Sequence, residues 1–111
     1  MNDEVKKYLT DISESIKSIF QYIGPDANFK SYDSNKMMKR AVERELEIIG
    51  EAIGRIKKID KEIVITSSRK IIDLRNKVIH AYDAVDDAII WGIIVNHLPL
   101  LKKEIEDLLT S

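Results

Sequence analysis

Apolar residues return at three- and four-residue steps along most of this chain, the period of a helix that buries one face. Val5, Leu9, Ile12, Ile16, Ile19, Phe20 and Ile23 follow this rule and predict a helix over residues 3–23. Gly24-Pro25-Asp26 ends it, because proline disfavours α backbone in the residue before it. A loop to about Asp33 follows, where Asp33 or Ser34 can cap the next helix. That helix, about 34–57, carries Met37, Met38, Ala41, Val42, Leu46, Ile48, Ile49, Ala52, Ile53 and Ile56. Gly50 and Gly54 sit within it, four residues apart, and predict close approach of a neighbouring helix.

Residues 58–65, KIDKEIVI, read as a loop or a short helical turn, since no second strand is available to pair with them. Ser67 or Ser68 can cap a third helix over about 67–81, bearing Ile71, Ile72, Leu74, Val78 and Ile79. Residues 83–86, DAVD, form a turn, and Asp86 can cap a fourth helix holding Ile89, Ile90, Trp91, Ile93, Ile94 and Leu98. Pro99 opens a fifth segment, 99–109, where its missing N–H costs little. The pattern predicts a single all-α domain over residues 1–111, an up-and-down bundle of four or five helices. The apolar faces of the second and fourth helices are wider than one stripe. A chain of 111 residues would bury them best in a homodimer.

Composition narrows the function. No apolar run approaches the roughly 18 residues that span a bilayer. The amphipathic N-terminus has no signal-peptide core, so a cytoplasmic protein without membrane contact is expected. With no cysteine there is no disulfide, thiolate nucleophile or cysteine-based zinc site. Two histidines, His80 and His97, lie 17 positions apart among scattered carboxylates and match no metal-ligand spacing, so neither a metal nor a cofactor is expected. His97 reads as structural, near the C-terminal end of the fourth helix, where a cation suits the helix dipole. Phe20, Phe29 and Trp91 read as core or interface residues. Glu43, Glu47 and Glu51 read as a solvated face or as partners of basic neighbours such as Arg40 and Arg44.

Charge is unevenly spread. The net charge is −1, yet residues 55–80 hold 8 basic and 3 acidic side chains, and residues 81–111 hold 2 basic and 6 acidic. A local basic block attracts phosphate even in an acidic chain. It ends on RNKVIHAY, residues 75–82. On a helix, Arg75 and His80 lie about 140° apart, whereas Asp73, Asn76 and His80 share one strip and Arg75 and Tyr82 share another. Histidine moves protons near neutral pH, and the arginine fork matches a phosphate. Together they can cleave RNA without a metal: His80 would take the ribose 2′-hydroxyl proton while Arg75 holds the phosphate. On spacing alone, an ordinary polar helix edge explains the same residues.

RNKVIHAY fits R-x4-H-x-Y, and with RAVERELEIIGEA at 40–52, DLRNKVIHAYDAVD at 73–86 and IIWGIIVNHLPLLKKEIEDLL at 89–109 the chain resembles HEPN-domain toxins of the HepT kind over nearly its whole length. One departure is SSRK at 67–70, where many relatives carry a tryptophan–arginine dipeptide. The resemblance implies a helical homodimer whose motif residues meet in one basic cleft. It implies a metal-independent endoribonuclease toxin of a toxin–antitoxin pair, of type II or type VII, acting on tRNA or mRNA. Arg75 and His80 would be the catalytic pair, with Asn76 and Asp73 in support. Tyr82 would accept AMP from a partner minimal nucleotidyltransferase antitoxin. A second reading is a non-catalytic HEPN module that binds nucleotide or serves as the dimerisation subunit of a nucleotidyltransferase complex.

Overall fold

A computed structural model describes residues 1–66, 69, 71 and 87–111. Five helices lie among them: α1 (Asp3–Ile23), α2 (Phe29–Asp33), α3 (Lys36–Ile59), α4 (Asp87–Asn96) and α5 (Leu98–Thr110). The all-α bundle expected from the apolar period is present, and no strand occurs among the described residues. The expected third helix over 67–81 and the turn at 83–86 fall outside them, apart from Arg69 and Ile71, which are helical.

Each helix end has a local cause. Asn2 caps α1, its side-chain oxygen accepting from the N–H groups of Glu4 (2.7 Å) and Val5 (3.3 Å). Gly24 closes α1 at φ +75°, donating its N–H to the Phe20 carbonyl, a backbone state that an L side chain rarely adopts. The segment read as loop contains α2, a single helical turn held by a reciprocal cap between Asn28 and Ser31. Because α2 absorbs Asp33 and Ser34, neither caps the long helix. Asn35 does, accepting from the Met38 N–H at 2.9 Å. At the junction of α4 and α5 the chain breaks at His97 alone. Pro99 lacks the N–H that would continue the ladder to Val95, so Leu98 begins α5 rather than ending α4.

The core is built on α1 and α3. Val5, Leu9, Ile12, Ile16 and Ile19 face Val42, Leu46, Ile49, Ile53 and Ile56, all fully buried. Both sets run in alternating steps of four and three, a narrow heptad seam. Shared surface residues show the helices to be antiparallel: Tyr8 lies beside Ala52 and Arg55, and Ser15 beside Glu45. α5 packs on α1 through Leu98, Leu101 and Ile105; α4 packs on α5, and α2 joins α3 to α4. Gly54 departs from expectation, since a Cβ built on it meets nothing within 4 Å. Among the described residues no close approach needs a glycine there. α4 is apolar on nearly every side and leaves Ile89 and Val95 about half exposed, with Leu100 of α5 more so. No described helix is long and apolar enough to cross a membrane.

Tyr32 is the one buried side chain of the described set whose polar atom lacks a partner: its ring is fully enclosed and tilted against Trp91 at 5.3 Å, but its hydroxyl makes no hydrogen bond. Replacing both partners of a buried bond is cheap, whereas an orphaned group carries its full desolvation cost. Tyr32→Phe is therefore expected to leave stability unchanged or raise it by about 1 kcal/mol in urea titration. Leu46→Ala, in the seam, is expected to cost about 2–5 kcal/mol in the same measurement.

Candidate active site

The residues that the sequence nominates for chemistry, Asp73, Arg75, Asn76, His80 and Tyr82, all lie outside the described residues. The structure does describe the chain on either side of them. On the approach, Ile65 is buried, and Thr66 is bound to Glu104 of α5. The Thr66 N–H donates to both carboxylate oxygens (3.0 and 2.9 Å), and its hydroxyl donates to one of them at 2.6 Å. An ionised acceptor makes these bonds short and strong for an exposed site. Arg69 is exposed and Ile71 is fully buried in the core.

On the departure, Asp87 opens α4 and receives the Lys39 ammonium of α3 at 3.1 Å, while Asp33 lies on the other side of Lys39 at 3.8 Å. The hydrogen bond to Asp87 raises the Lys39 pKa, with partial desolvation working against it. Three carboxylates surround this one lysine: Asp33, Asp87 and Glu43. Glu43 is held above its ordinary value of 4.5, first by burial and then by the charge of Asp87, with Arg40 and Lys39 opposing. Burial, then Asp87, Glu43 and Asp33, push the Tyr32 phenol far above its usual range. Elsewhere on this face the expected pairing with basic neighbours is present: Arg44 pairs with Glu47 at 3.2 Å, and Arg55 with Glu51 at 3.5 Å. Among the described residues no three His, Cys, Asp or Glu side chains gather closely enough to hold a metal ion.

The ribonuclease HepT-like family profile matches residues 9–108. The chain belongs to that family. A Methanocaldococcus jannaschii protein whose RNase name is provisional is 36% identical over 104 residues, covering 93% of this chain and 94% of its own. A Thermococcus cleftensis protein named probable ribonuclease HepT is also 36% identical, over 107 residues and with the same two coverages. A Caldanaerobacter subterraneus relative, again provisionally an RNase, is 31% identical over 108 residues. No solved structure matches the chain. Membership in the HepT-like family supports ribonuclease activity.

Sequence reasoning did not find the two contacts that flank the motif. Lys39 and Asp87 are 48 positions apart, and Thr66 and Glu104 are 38 apart. No local spacing pairs residues at that distance; only linked substitution across relatives carries such a signal. Removing both Thr66 and Glu104 side chains, singly and together, is expected to give a coupling of about 1 kcal/mol in a double-mutant cycle. Glu43 gives a pH prediction. Its folded pKa lies above its unfolded one, so the native state binds the proton more tightly. Its contribution is full below about 4.5 and is lost as pH rises through the folded pKa. Glu43→Gln should therefore flatten the fall in stability over that window and gain most, relative to wild type, at neutral pH; chemical denaturation at pH 4 and pH 7 checks it.

Proposed function

We propose that the protein is a metal-independent endoribonuclease toxin of a toxin–antitoxin pair, with RNKVIHAY as its active site. The observation that carries the reading is the intact R-x4-H-x-Y spacing of Arg75, His80 and Tyr82 in a chain that belongs to the HepT-like family. With no cysteine, the chain has no thiolate to offer as a nucleophile, and the substrate's own 2′-hydroxyl fills that role. His80 takes the hydroxyl proton as the 2′-oxygen bonds to phosphorus. The bond from phosphorus to the 5′-oxygen breaks, and that oxygen leaves as a 5′-hydroxyl with the proton that His80 gives back. Arg75 holds the non-bridging oxygens while charge builds on them. Asn76 and Asp73, which ideal helical spacing would put in line with His80, fix the imidazole.

The 140° offset of Arg75 and His80, roughly estimated from ideal helical geometry, suits a cleft lined by two copies better than one helix clasping a small ligand. A homodimer also gives the exposed Ile89, Val95 and Leu100 an apolar partner. Tyr82 is the point of control. AMP transferred to its hydroxyl by a minimal nucleotidyltransferase antitoxin places bulk and negative charge on the strip of Arg75, where RNA phosphate would bind.

His80→Ala should lower cleavage of total RNA by about 10²- to 10⁴-fold with the circular dichroism spectrum unchanged. Cleavage by the variant at the wild-type rate would contradict the role of His80, whereas no cleavage by either protein, with Tyr82 unmodified, would favour the non-catalytic module that binds a nucleotidyltransferase. Tyr82→Phe should keep its toxicity in cells that also express the antitoxin, because it offers no hydroxyl to modify; growth rescue of this variant equal to that of wild type would contradict the assigned role.

A further inference from the structure

We propose that Lys39 is a positioning residue for RNKVIHAY, a reading that takes this stretch as the active site. Through its ion pair with Asp87, Lys39 fixes the point at which the chain leaves the motif. His80 precedes Asp87 by seven positions and Tyr82 precedes it by five. Asp87 is the described residue nearest to both along the chain.

Of the described ion pairs, those of Lys7, Arg44, Arg55 and Lys102 each join residues three or four apart on one helix. Such pairs firm a helix but place no other element. Lys39 makes the two that cross between helices, to Asp33 of α2 at 3.8 Å and to Asp87 of α4 at 3.1 Å. Of these, the bond to Asp87 is also a hydrogen bond. The Lys39 and Asp87 side chains are 23% and 26% exposed, against 51% for Asp33, so water screens the Asp87 pair less. The same bond helps to keep the ammonium charged.

The balance of charge makes the effect of Lys39 local. Asp33, Glu43 and Asp87 all act on this one lysine. Without the ammonium these carboxylates repel one another, and Asp87 yields most easily because it is the first residue of α4. The body of α4 stays in place. Ile90, Ile93 and Ile94 are buried in the core, and Trp91 meets the Tyr32 ring at 5.3 Å. Lys39 therefore holds the first turn of α4 and the chain that feeds it. Catalysis is sensitive to such a hold, since misplacing a reacting group by about 1 Å costs about 10²-fold in rate. Asp33 and Asp87 occupy the ammonium from two sides, which leaves it ill suited to neutralise RNA phosphate. The loss of Lys39 is thus expected in kcat rather than in KM.

The test compares the full, antitoxin-free chain with Lys39→Met, Lys39→Arg, Asp87→Asn and the double variant Lys39→Met/Asp87→Asn, each with its fold checked by circular dichroism. Without RNA, NMR follows the His80 ring protons, assigned against His80→Ala. With tRNA, cleavage is measured as kcat, KM and salt dependence. The His80 signal should move in Lys39→Met and Asp87→Asn and return in Lys39→Arg. In the first two, kcat should fall at least about tenfold with KM and salt dependence kept. Arginine should restore it, and the double variant should lose no more than the worse single one, because both act through one bond. A raised KM with a shallower salt dependence would make Lys39 an RNA contact and overturn the proposal. An unmoved His80 signal, additive losses in the double variant, or no recovery with arginine would each overturn it as well. A wild type that cleaves nothing would overturn the ribonuclease reading alone, and the His80 signal would then decide the positioning role by itself.

Discussion

The antiparallel seam between α1 and α3 is the constraint on which the rest of the described fold depends. Each helix contributes five fully buried aliphatic side chains in alternating steps of four and three. Burying one such side chain is worth about 1.5–3 kcal/mol, and the two rows are long enough to fix both the register and the relative direction of the helices. The seam presents α1 to α5 on one side and α3 to α2 on the other. Glu104 and Lys39, which hold the chain before and after the motif, project from helices whose places are set by this packing.

The chain enters the motif-bearing stretch at Thr66, fastened to α5, and leaves it at Asp87, fastened to α3. The two attachments differ physically. Thr66–Glu104 is a set of three short bonds to a single carboxylate, directional and largely exposed. The Lys39 site is an imbalance of charge, with one ammonium among Asp33, Asp87 and Glu43, half shielded beside the buried Tyr32 ring. Its surplus of negative charge has measurable effects: Glu43 holds its proton more tightly than an ordinary glutamate, and the Tyr32 phenol does not ionise in any ordinary pH range.

Much of the architecture was legible in the spacing of apolar residues, because long helices buried on one face write their period into the chain. The bounds of α1 follow from Val5 to Ile23 and the Gly24-Pro25 stop, and those of α5 from Pro99. What the period does not encode was lost. α2 is one turn long and rests on the Asn28–Ser31 cap rather than on an apolar stripe, and its presence shifts the next cap from Asp33 or Ser34 to Asn35. Gly54 looked like a packing residue because glycine is costly in a helix, yet among the described residues nothing approaches it closely. The motif is nominated on other grounds, the spacing of Arg75, His80 and Tyr82 and their resemblance to a family, and its residues lie outside the described ones. The ion pair that anchors the end of that segment joins residues 48 positions apart, and nothing local announces it.

The central claim is that the 2′-hydroxyl of RNA, activated by His80 beside Arg75, cuts its own strand without a metal. The most direct measurement is the terminal chemistry of tRNA cut by the antitoxin-free protein in excess EDTA, with Tyr82 shown by mass spectrometry to be unmodified. The account predicts fragments ending in 2′,3′-cyclic phosphate and beginning with 5′-hydroxyl. Fragments bearing 3′-hydroxyl and 5′-phosphate, or cleavage that EDTA abolishes, would contradict it.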